Sequence, residues 1–527
     1  MTIASSGPCD EALIRQAAPS PCSPAAGRWV LAATILGSSM AFIDGNVVSV
    51  ALPVLQEDLG ASVSDAQWIV AAYSLFLASL VLAGGALADR YGRRRVFVIG
   101  TLIFAAASLA CGLAPGTRAI IFARAAQGLG AALLVPSSLA ILGAAFSPSE
   151  RGRAVGTWAA MTSITSAIGP ALGGWLVQVV SWRAVFLVNL PLAAAVVGIA
   201  LRKVPETRSP SSGRLDLGGA ALATVGLGAL VYGLIEAPAL GLANPGAWGP
   251  AAAGIAVLAA FVVFERRIRQ PMVPLVLFRN RTFAAANLLT LFLYAALSAV
   301  FFFLPFDLIQ ARGYTPAAAG AAILPLVLLM SALSRWAGAL ADRFGPHLPL
   351  TVGPALAGAG FLLLGILPGS ASYAAGLLPA LCVLGLGLGM TVAPLTAAVL
   401  NAVPRDDQGS ASGINNAVAR VAGLLAIAVF GIVAAASFNS SLDRRLDTAR
   451  VAPSTRRLLD SERGKLGAMQ PPASAPAREA RAIERGVATS FHRAFRVVCL
   501  ISGALAFLAS LCALWGVRNR TSSEPSR

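Results

Sequence analysis

The sequence predicts an all-α polytopic membrane protein with fourteen transmembrane helices. Three observations carry that expectation: the composition, the spacing of the apolar runs and the placement of the basic residues. Of 527 residues, 57% are hydrophobic and only 12% are charged, and the mean hydropathy is +0.75. A soluble chain carries about 25% charged residues; half that share suits a surface that faces hydrocarbon. A spanning helix needs about 20 mostly apolar residues. Fourteen runs qualify, at 29–53, 66–88, 96–114, 119–142, 154–178, 184–201, 216–236, 248–265, 282–309, 316–341, 348–368, 374–402, 411–437 and 492–516.

Residues 1–27, with Pro, Ser and Ala but few large apolar side chains, read as a disordered cytoplasmic tail. The run from Trp29 is too long for a signal-peptide core and lacks a clean cleavage site, so it is expected to be retained. Six segments then fill 28–201, two inserted segments with basic flanks fill 202–281, and six more fill 282–516, before a cytoplasmic tail at 517–527. With the N-terminus inside, the inner loops hold seventeen Arg and Lys, and the short outer loops hold Arg118, Arg183 and Arg312. That is a strong positive-inside bias. It places both termini in the cytoplasm and makes 438–490 a long external loop, in which amphipathic helix is plausible. This loop carries ten basic residues, but long loops cross largely regardless of charge.

The net charge of +17 therefore sits in membrane-flanking loops and does not imply nucleic acid as a partner. The six cysteines are scattered, with no CxxC pair, and the only histidines are His347 and His492. Neither a structural metal nor a disulfide framework is expected. The chain has no GxxxxGK[ST] phosphate-binding loop and no cluster with catalytic spacing, which argues against ATP as a direct energy source and against an enzyme. No cofactor is expected.

The chain repeats itself. Gly85-Ala-Leu-Ala-Asp89-Arg90 ends the second segment and recurs as Gly338-Ala-Leu-Ala-Asp342-Arg343 at the end of the tenth. Pro148-Ser-Glu-Arg-Gly152 is echoed, more faintly, by Pro404-Arg-Asp-Asp-Gln-Gly409 after the twelfth. Six helices, two inserted helices and six more give two similar bundles, the architecture by which rocking transporters place a site at mid-membrane.

At these residues the sequence resembles the major facilitator superfamily, and within it the fourteen-helix drug:proton antiporter branch. Gly85 to Arg95, with Asp89, Arg90, Gly92 and Arg93, is similar to the superfamily's signature loop. Arg124-Ala-Ala-Gln127-Gly128-Leu-Gly130 is similar to its fourth-helix motif, and Gly169-Pro170-Ala-Leu-Gly173-Gly174 to the fifth-helix motif associated with antiporters. Ile43-Asp44-Gly-Asn46 through Pro53 resembles the first-helix pattern of the fourteen-helix branch. Two positions depart from these patterns, Thr165 where a glycine is usual and Asn46 where a hydroxyl residue is usual. The resemblance implies two six-helix bundles plus two inserted helices, working in a bacterial inner membrane. It implies a latch at Gly85, Asp89, Arg90, Gly92, Arg93, Asp342 and Arg343, and a hinge at Gly169, Pro170, Gly173 and Gly174. It also implies proton-coupled export of small amphiphilic compounds, probed against two alternatives: a carrier for one metabolite and a non-transporting sensor. A monomer is expected.

Charges inside apolar segments are the sharper local signal, because each costs at least about 2.5–3.5 kcal/mol at the centre of a spanning helix. Asp44 and Arg124 lie about 13 and 8 Å from the outer ends of their segments at 1.5 Å per residue, depths at which the two side chains can meet. The expectation is that Asp44 takes and releases the coupling proton and Arg124 tunes it, through the opposed effects of burial and of a neighbouring cation. Arg335 and Arg420 are expected in structural roles or facing an anionic substrate group, while Tyr73 and Trp158 are candidates for a cavity wall. Asp89 is expected to accept from backbone N–H groups at a neighbouring helix start. Asp307 and Glu236 are expected at the outer interface, outside the proton path.

Overall fold

A computed structural model describes residues 24–208, 216–241, 244–268, 271–404 and 407–517. The helices are α1 (Pro24–Leu59), α2 (Val63–Tyr91), α3 (Arg93–Gly112), α4 (Thr117–Ala145), α5 (Pro148–Val179), α6 (Ala184–Leu187), α7 (Asn189–Lys203), α8 (Leu217–Leu240) and α9 (Pro245–Arg267). They continue as α10 (Arg281–Phe306), α11 (Pro316–Ala322), α12 (Leu324–Phe344), α13 (His347–Ile366), α14 (Leu378–Asn401), α15 (Gln408–Thr448), α16 (Pro453–Glu462) and α17 (Ala477–Gly516).

Each of the fourteen predicted segments is helical, with the sixth built from α6 and α7 and the tenth from α11 and α12. Among the described residues, 13 helical stretches are long and apolar enough to cross a bilayer. The fourteenth, α5, is 32 residues long, and its Ser, Thr and Gly residues dilute its hydropathy. Large apolar side chains stand exposed along the helices, among them Phe122, Leu328 and Trp336. A water-soluble monomer does not leave so much apolar surface open.

Local chemistry sets the helix starts. Ser62 and Asp65 form a reciprocal capping box at the head of α2, Ser62 N donating to Asp65 Oδ2 (2.9 Å) and Asp65 N to Ser62 Oγ (3.0 Å). Asn280 and Thr315 accept from the third residues of α10 and α11. Proline stands in the first turn of α5, α11 and α16, where its missing N–H costs nothing.

Two expectations change. The first helix begins at Pro24, so 24–27 belong to its first turn and not to a tail; residues 1–23 and 518–527 lie outside the described residues. The segment 438–490, expected as a long loop in which amphipathic helix is plausible, is largely helical. There α15 buries Phe438, Leu442 and Leu446, and α17 buries Ile483 and Val487, each at helical spacing. A charged stripe interleaved with an apolar one reads as a loop by hydropathy but folds as an amphipathic helix.

The chain divides into two compact units. The first comprises residues up to Ala51, Trp68–Leu227 and Ala256–Met272; the second comprises Leu52–Gln67, Gly228–Ile255 and the chain from Val273 onward. The first unit's core joins Met40, Tyr73, Phe97, Phe104, Leu134 and Val196. In the second, Phe302, Phe303 and Phe306 of α10 form an aromatic chain that reaches Phe491 of α17.

Candidate functional site

The site lies inside the first unit. Asp44 on α1 and Arg124 on α4 are each 1% exposed and form an ion pair through Oδ2 and Nη1. Burying two charges is tolerated only where the remaining donors and acceptors are satisfied, and here neighbouring helices satisfy them. Gln127, one helical turn after Arg124, donates from Nε2 to Asp44 Oδ1 (2.8 Å) and accepts Arg124 Nη1 on its own Oε1 (2.7 Å). Asn189, at the start of α7, donates to the same Asp44 Oδ1 (3.0 Å) and to Ser108 Oγ of α3 (2.9 Å). Arg124 also donates from Nε to the Ile69 carbonyl (3.0 Å) of α2, and its guanidinium carbon stands 4.3 Å from the Tyr73 ring centroid.

Every polar contact on Asp44 thus comes from a donor, the arrangement of an ionised carboxylate. Asn189 keeps its own Oδ1 buried without a hydrogen-bond partner beside this carboxylate. Sequence reasoning brought Asp44 and Arg124 together and missed Gln127, Ser108 and Asn189. Only Gln127 carried a signal, its place in the fourth-helix motif. Tyr73, expected at a cavity wall, is buried instead beneath Arg124, and its hydroxyl donates to the Ala41 carbonyl (3.2 Å).

A polar seam runs beside the cluster between α1 and α5. Trp158 Nε1 donates to Ser38 Oγ (3.3 Å), Thr165 Oγ1 lies 2.9 Å from Ser39 Oγ, and Asn46 Nδ2 donates to Ser166 Oγ (2.7 Å). The two departures from the motif patterns, Asn46 and Thr165, therefore both lie on this seam. Gly169 and Gly173 make the close approach possible: a Cβ on Gly173 would sit 2.9 Å from Val47 Cγ1. Pro170 and Gly174 lie on the same helix.

At the signature loop, Asp89 pairs with Arg93 one turn later (Nη2–Oδ1, 2.8 Å) and does not cap a helix start. The anion at the α3 N-terminus is Glu206, which follows α7 and accepts from the backbone N–H groups of Arg94 (3.0 Å) and Arg95 (3.1 Å). Gly92 is required here because its φ is +115° and a Cβ would lie 2.7 Å from the Glu206 carboxylate. Gly85 is in ordinary contact with Pro136, and Arg90 is exposed beside Tyr91. In the second copy, Gly338 is open, Arg343 is exposed against Phe344, and the Asp342 side chain lies outside the described residues, as does that of Arg335. Arg420 is half-buried on α15.

Asp307, expected at the interface, is fully buried in the second unit. Its Oδ2 accepts Arg312 Nε (2.7 Å), and its Oδ1 lies 2.9 Å from His492 Nδ1. It stands directly after α10, at the end of the span, as the residue count along that helix implies; what that count does not show is its burial against α17. Glu236 accepts from Ser64 Oγ (3.3 Å). The second unit also holds a polar-lined cavity of about 100 Å³ bounded by Tyr294, Thr396, Ser412, Asn415 and Asn416. No group of three His, Cys, Asp or Glu residues able to hold a metal occurs among the described residues.

Fourteen helical segments, apolar outer faces and a buried, hydrogen-bonded acid–guanidinium pair define a multi-pass membrane protein with a charged pair in its interior. The family model of the Major Facilitator Superfamily matches residues 34–427, and the chain belongs to that superfamily of membrane transporters. It is 38% identical over 441 residues to the multidrug resistance protein Stp of Mycobacterium tuberculosis (strain CDC 1551 / Oshkosh), covering 81% of this chain and 80% of that protein. It is 34% identical over 504 residues to the tetracenomycin C resistance and export protein of Streptomyces glaucescens, covering 94% and 93%. Among solved structures, a bacterial homologue of the human lysosomal transporter Spinster aligns with a TM-score of 0.63 at 19% identity, over 95% of this chain and 100% of that one. The last likeness is one of fold.

Proposed function

We propose that this chain is a secondary transporter that exports small amphiphilic organic compounds in exchange for protons. In this reading it works as a monomer in a bacterial inner membrane, with both termini cytoplasmic and two six-helix bundles flanking the inserted α8 and α9. The observation that carries the reading is Asp44, a buried carboxylate whose bonds come from α4 and α7 and must be remade when a proton arrives. The relatives named for multidrug resistance and tetracenomycin C export support the direction and the class of cargo.

Binding of a proton removes the charge that holds Arg124, which keeps Gln127 and the Ile69 carbonyl. The α1–α4 tie is thereby weakened on one side only, a bias that an alternating-access cycle needs. The hydroxyl and amide seam on α1 and α5, with Trp158, offers an amphiphile both an apolar wall and hydrogen bonds. The signature loop serves as the latch, and Gly169, Pro170, Gly173 and Gly174 as the hinge.

The test is proton flux in sealed vesicles with purified protein and an imposed pH gradient, on adding cationic, neutral and anionic amphiphiles. Substrate-triggered flux in the wild type, lost at least about tenfold in Asp44→Asn, is the expected result, since one lost charge interaction of about 1.4 kcal/mol already gives that factor. Flux that persists in the variant would move the proton site elsewhere.

A further inference from the structure

We propose that Asp307, His492 and Arg312 form a second proton-binding site, built into the second unit and separate from Asp44. Asp307 opens a π-helical turn, Asp307–Ala311, that ends the α10 span, and such turns recur at functional positions. His492 lies on α17, and its two ring nitrogens face two oxygens: Nδ1 is 2.9 Å from Asp307 Oδ1, and Nε2 is 3.1 Å from the Leu367 carbonyl just beyond α13. A carbonyl only accepts, and so does a carboxylate that is already paired with a guanidinium. A neutral imidazole has one N–H and can satisfy one of these oxygens; the imidazolium satisfies both. The geometry is that of a bound proton shared between three elements.

The surroundings make that proton exchangeable. Arg312 donates from Nε to Asp307 Oδ2, and its side chain is 3% exposed, yet neither terminal nitrogen has a hydrogen-bond partner. One carboxylate therefore meets the Arg312 guanidinium on one oxygen and the His492 ring on the other. Imidazole is the side chain that ordinarily changes charge between about pH 5 and 8.

The other charged and titratable groups nearby are few. On α17, Cys499 is buried and Arg493 and Arg496 are exposed, with Arg496 Nε donating to the Gly365 carbonyl of α13 (2.8 Å). In the turn after α16, Lys465 pairs with Glu462, and Arg463 bonds Asp443 of α15 (2.5 Å) and Asp460 (2.7 Å). On α15, Arg445 packs beside Gly486, a turn and a half before His492. Tyr314 follows Arg312, and Tyr373 donates its hydroxyl to the Ala322 carbonyl (3.2 Å).

Loss of the proton would leave one N–H. The Nδ1 bond to Asp307 keeps its charge assistance, so the Nε2 contact to Leu367 is the one that fails. The join between α13 and α17 would loosen while that between α10 and α17 held. Gln310, in the same π turn, donates to Gln56 Oε1 (3.0 Å), and Gln56 donates to the Lys465 carbonyl (3.0 Å). Protonation at His492 thus bears on the residues that gather the ends of α1, α10 and α13 against the middle of α17 within this unit.

Two histidines in the whole chain make the test direct. Full-length protein labelled with ¹³C and ¹⁵N at histidine is titrated by NMR in lipid nanodiscs, and His492→Gln identifies the His492 signal. The expected result is an imidazolium signal at about pH 7 that turns neutral by about pH 9 in the wild type, and a neutral signal at about pH 7 in Asp307→Asn. A wild-type signal that is neutral from about pH 5 upward, or charged through about pH 9, overturns the proposal. So does an imidazolium signal that Asp307→Asn leaves unchanged. Should Asp307→Asn fail to fold, the wild-type titration decides alone. This readout needs no substrate, so its failure is distinct from a failure of the antiport reading.

Discussion

The first unit and the second unit each bury an aspartate with an arginine, and they finish the site differently. Around Asp44 the remaining bonds come from carboxamides, Gln127 and Asn189, which keep one protonation state across physiological pH. Around Asp307 the remaining bond comes from His492, an imidazole. Asp44 is therefore a carboxylate closed by donors that do not themselves titrate. Asp307 is half of a pair whose other half, an imidazole, also meets the Leu367 carbonyl just beyond α13. In the roles proposed above, the same acid–guanidinium unit serves as a lock in one unit and as a sensor in the other, according to one neighbouring side chain.

The largest effect should come from taking the arginine out of the lock. Arg124→Gln leaves a buried carboxylate with neutral donors alone, at a cost of about 3–5 kcal/mol. Chemical unfolding in mixed micelles should show that loss. Adding Asp44→Asn to the same protein should restore most of it, since both charges are then gone. If the double variant is as unstable as Arg124→Gln, the stability rests on the packing of Arg124 over Tyr73 and against Ile69, and the ion pair is incidental.

Arg312→Gln should cost less, about 1–3 kcal/mol, the range for a lost charged hydrogen bond. Asp307 keeps the imidazolium as its counter-charge, and the substitution removes two buried nitrogens that already lack hydrogen-bond partners. The same unfolding measurement reads it, and a loss as large as that of Arg124→Gln would make the two clusters alike.

How far the sequence reveals these sites follows from the cost of each residue type in an apolar setting. Asp44 and Arg124 stood out because a charge in a spanning helix is expensive, and their depths matched. Gln127, Ser108 and Asn189 did not, since uncharged polar residues occur throughout such helices and only the packing of α3, α4 and α7 selects these three. Asp307 and His492 were hidden for another reason. The last apolar run starts at residue 492, while α17 starts at Ala477, so the histidine that looked like a terminal residue lies well inside a helix. The helical segments themselves were legible almost throughout, because hydropathy reports burial in lipid, and it failed where amphipathic helices replace a uniform apolar run.

The smallest expected effect separates two acids at the signature loop. Glu206 holds the α3 N-terminus through two backbone N–H groups, with the helix dipole in its favour, while Asp89 makes a half-exposed pair with Arg93 one turn along. Removing the charge with Glu206→Gln should cost about 0.5–1 kcal/mol, the usual size of a charge–dipole interaction at a helix end. Asp89→Asn should cost no more than about 0.5 kcal/mol, as for other exposed i,i+4 pairs. If Asp89 is the latch, its substitution should slow transport with stability nearly intact, whereas Glu206→Gln should lower stability with transport nearly intact. The reverse pattern in paired unfolding and flux measurements would return the anchoring role to Asp89 and leave Glu206 as a surface acid.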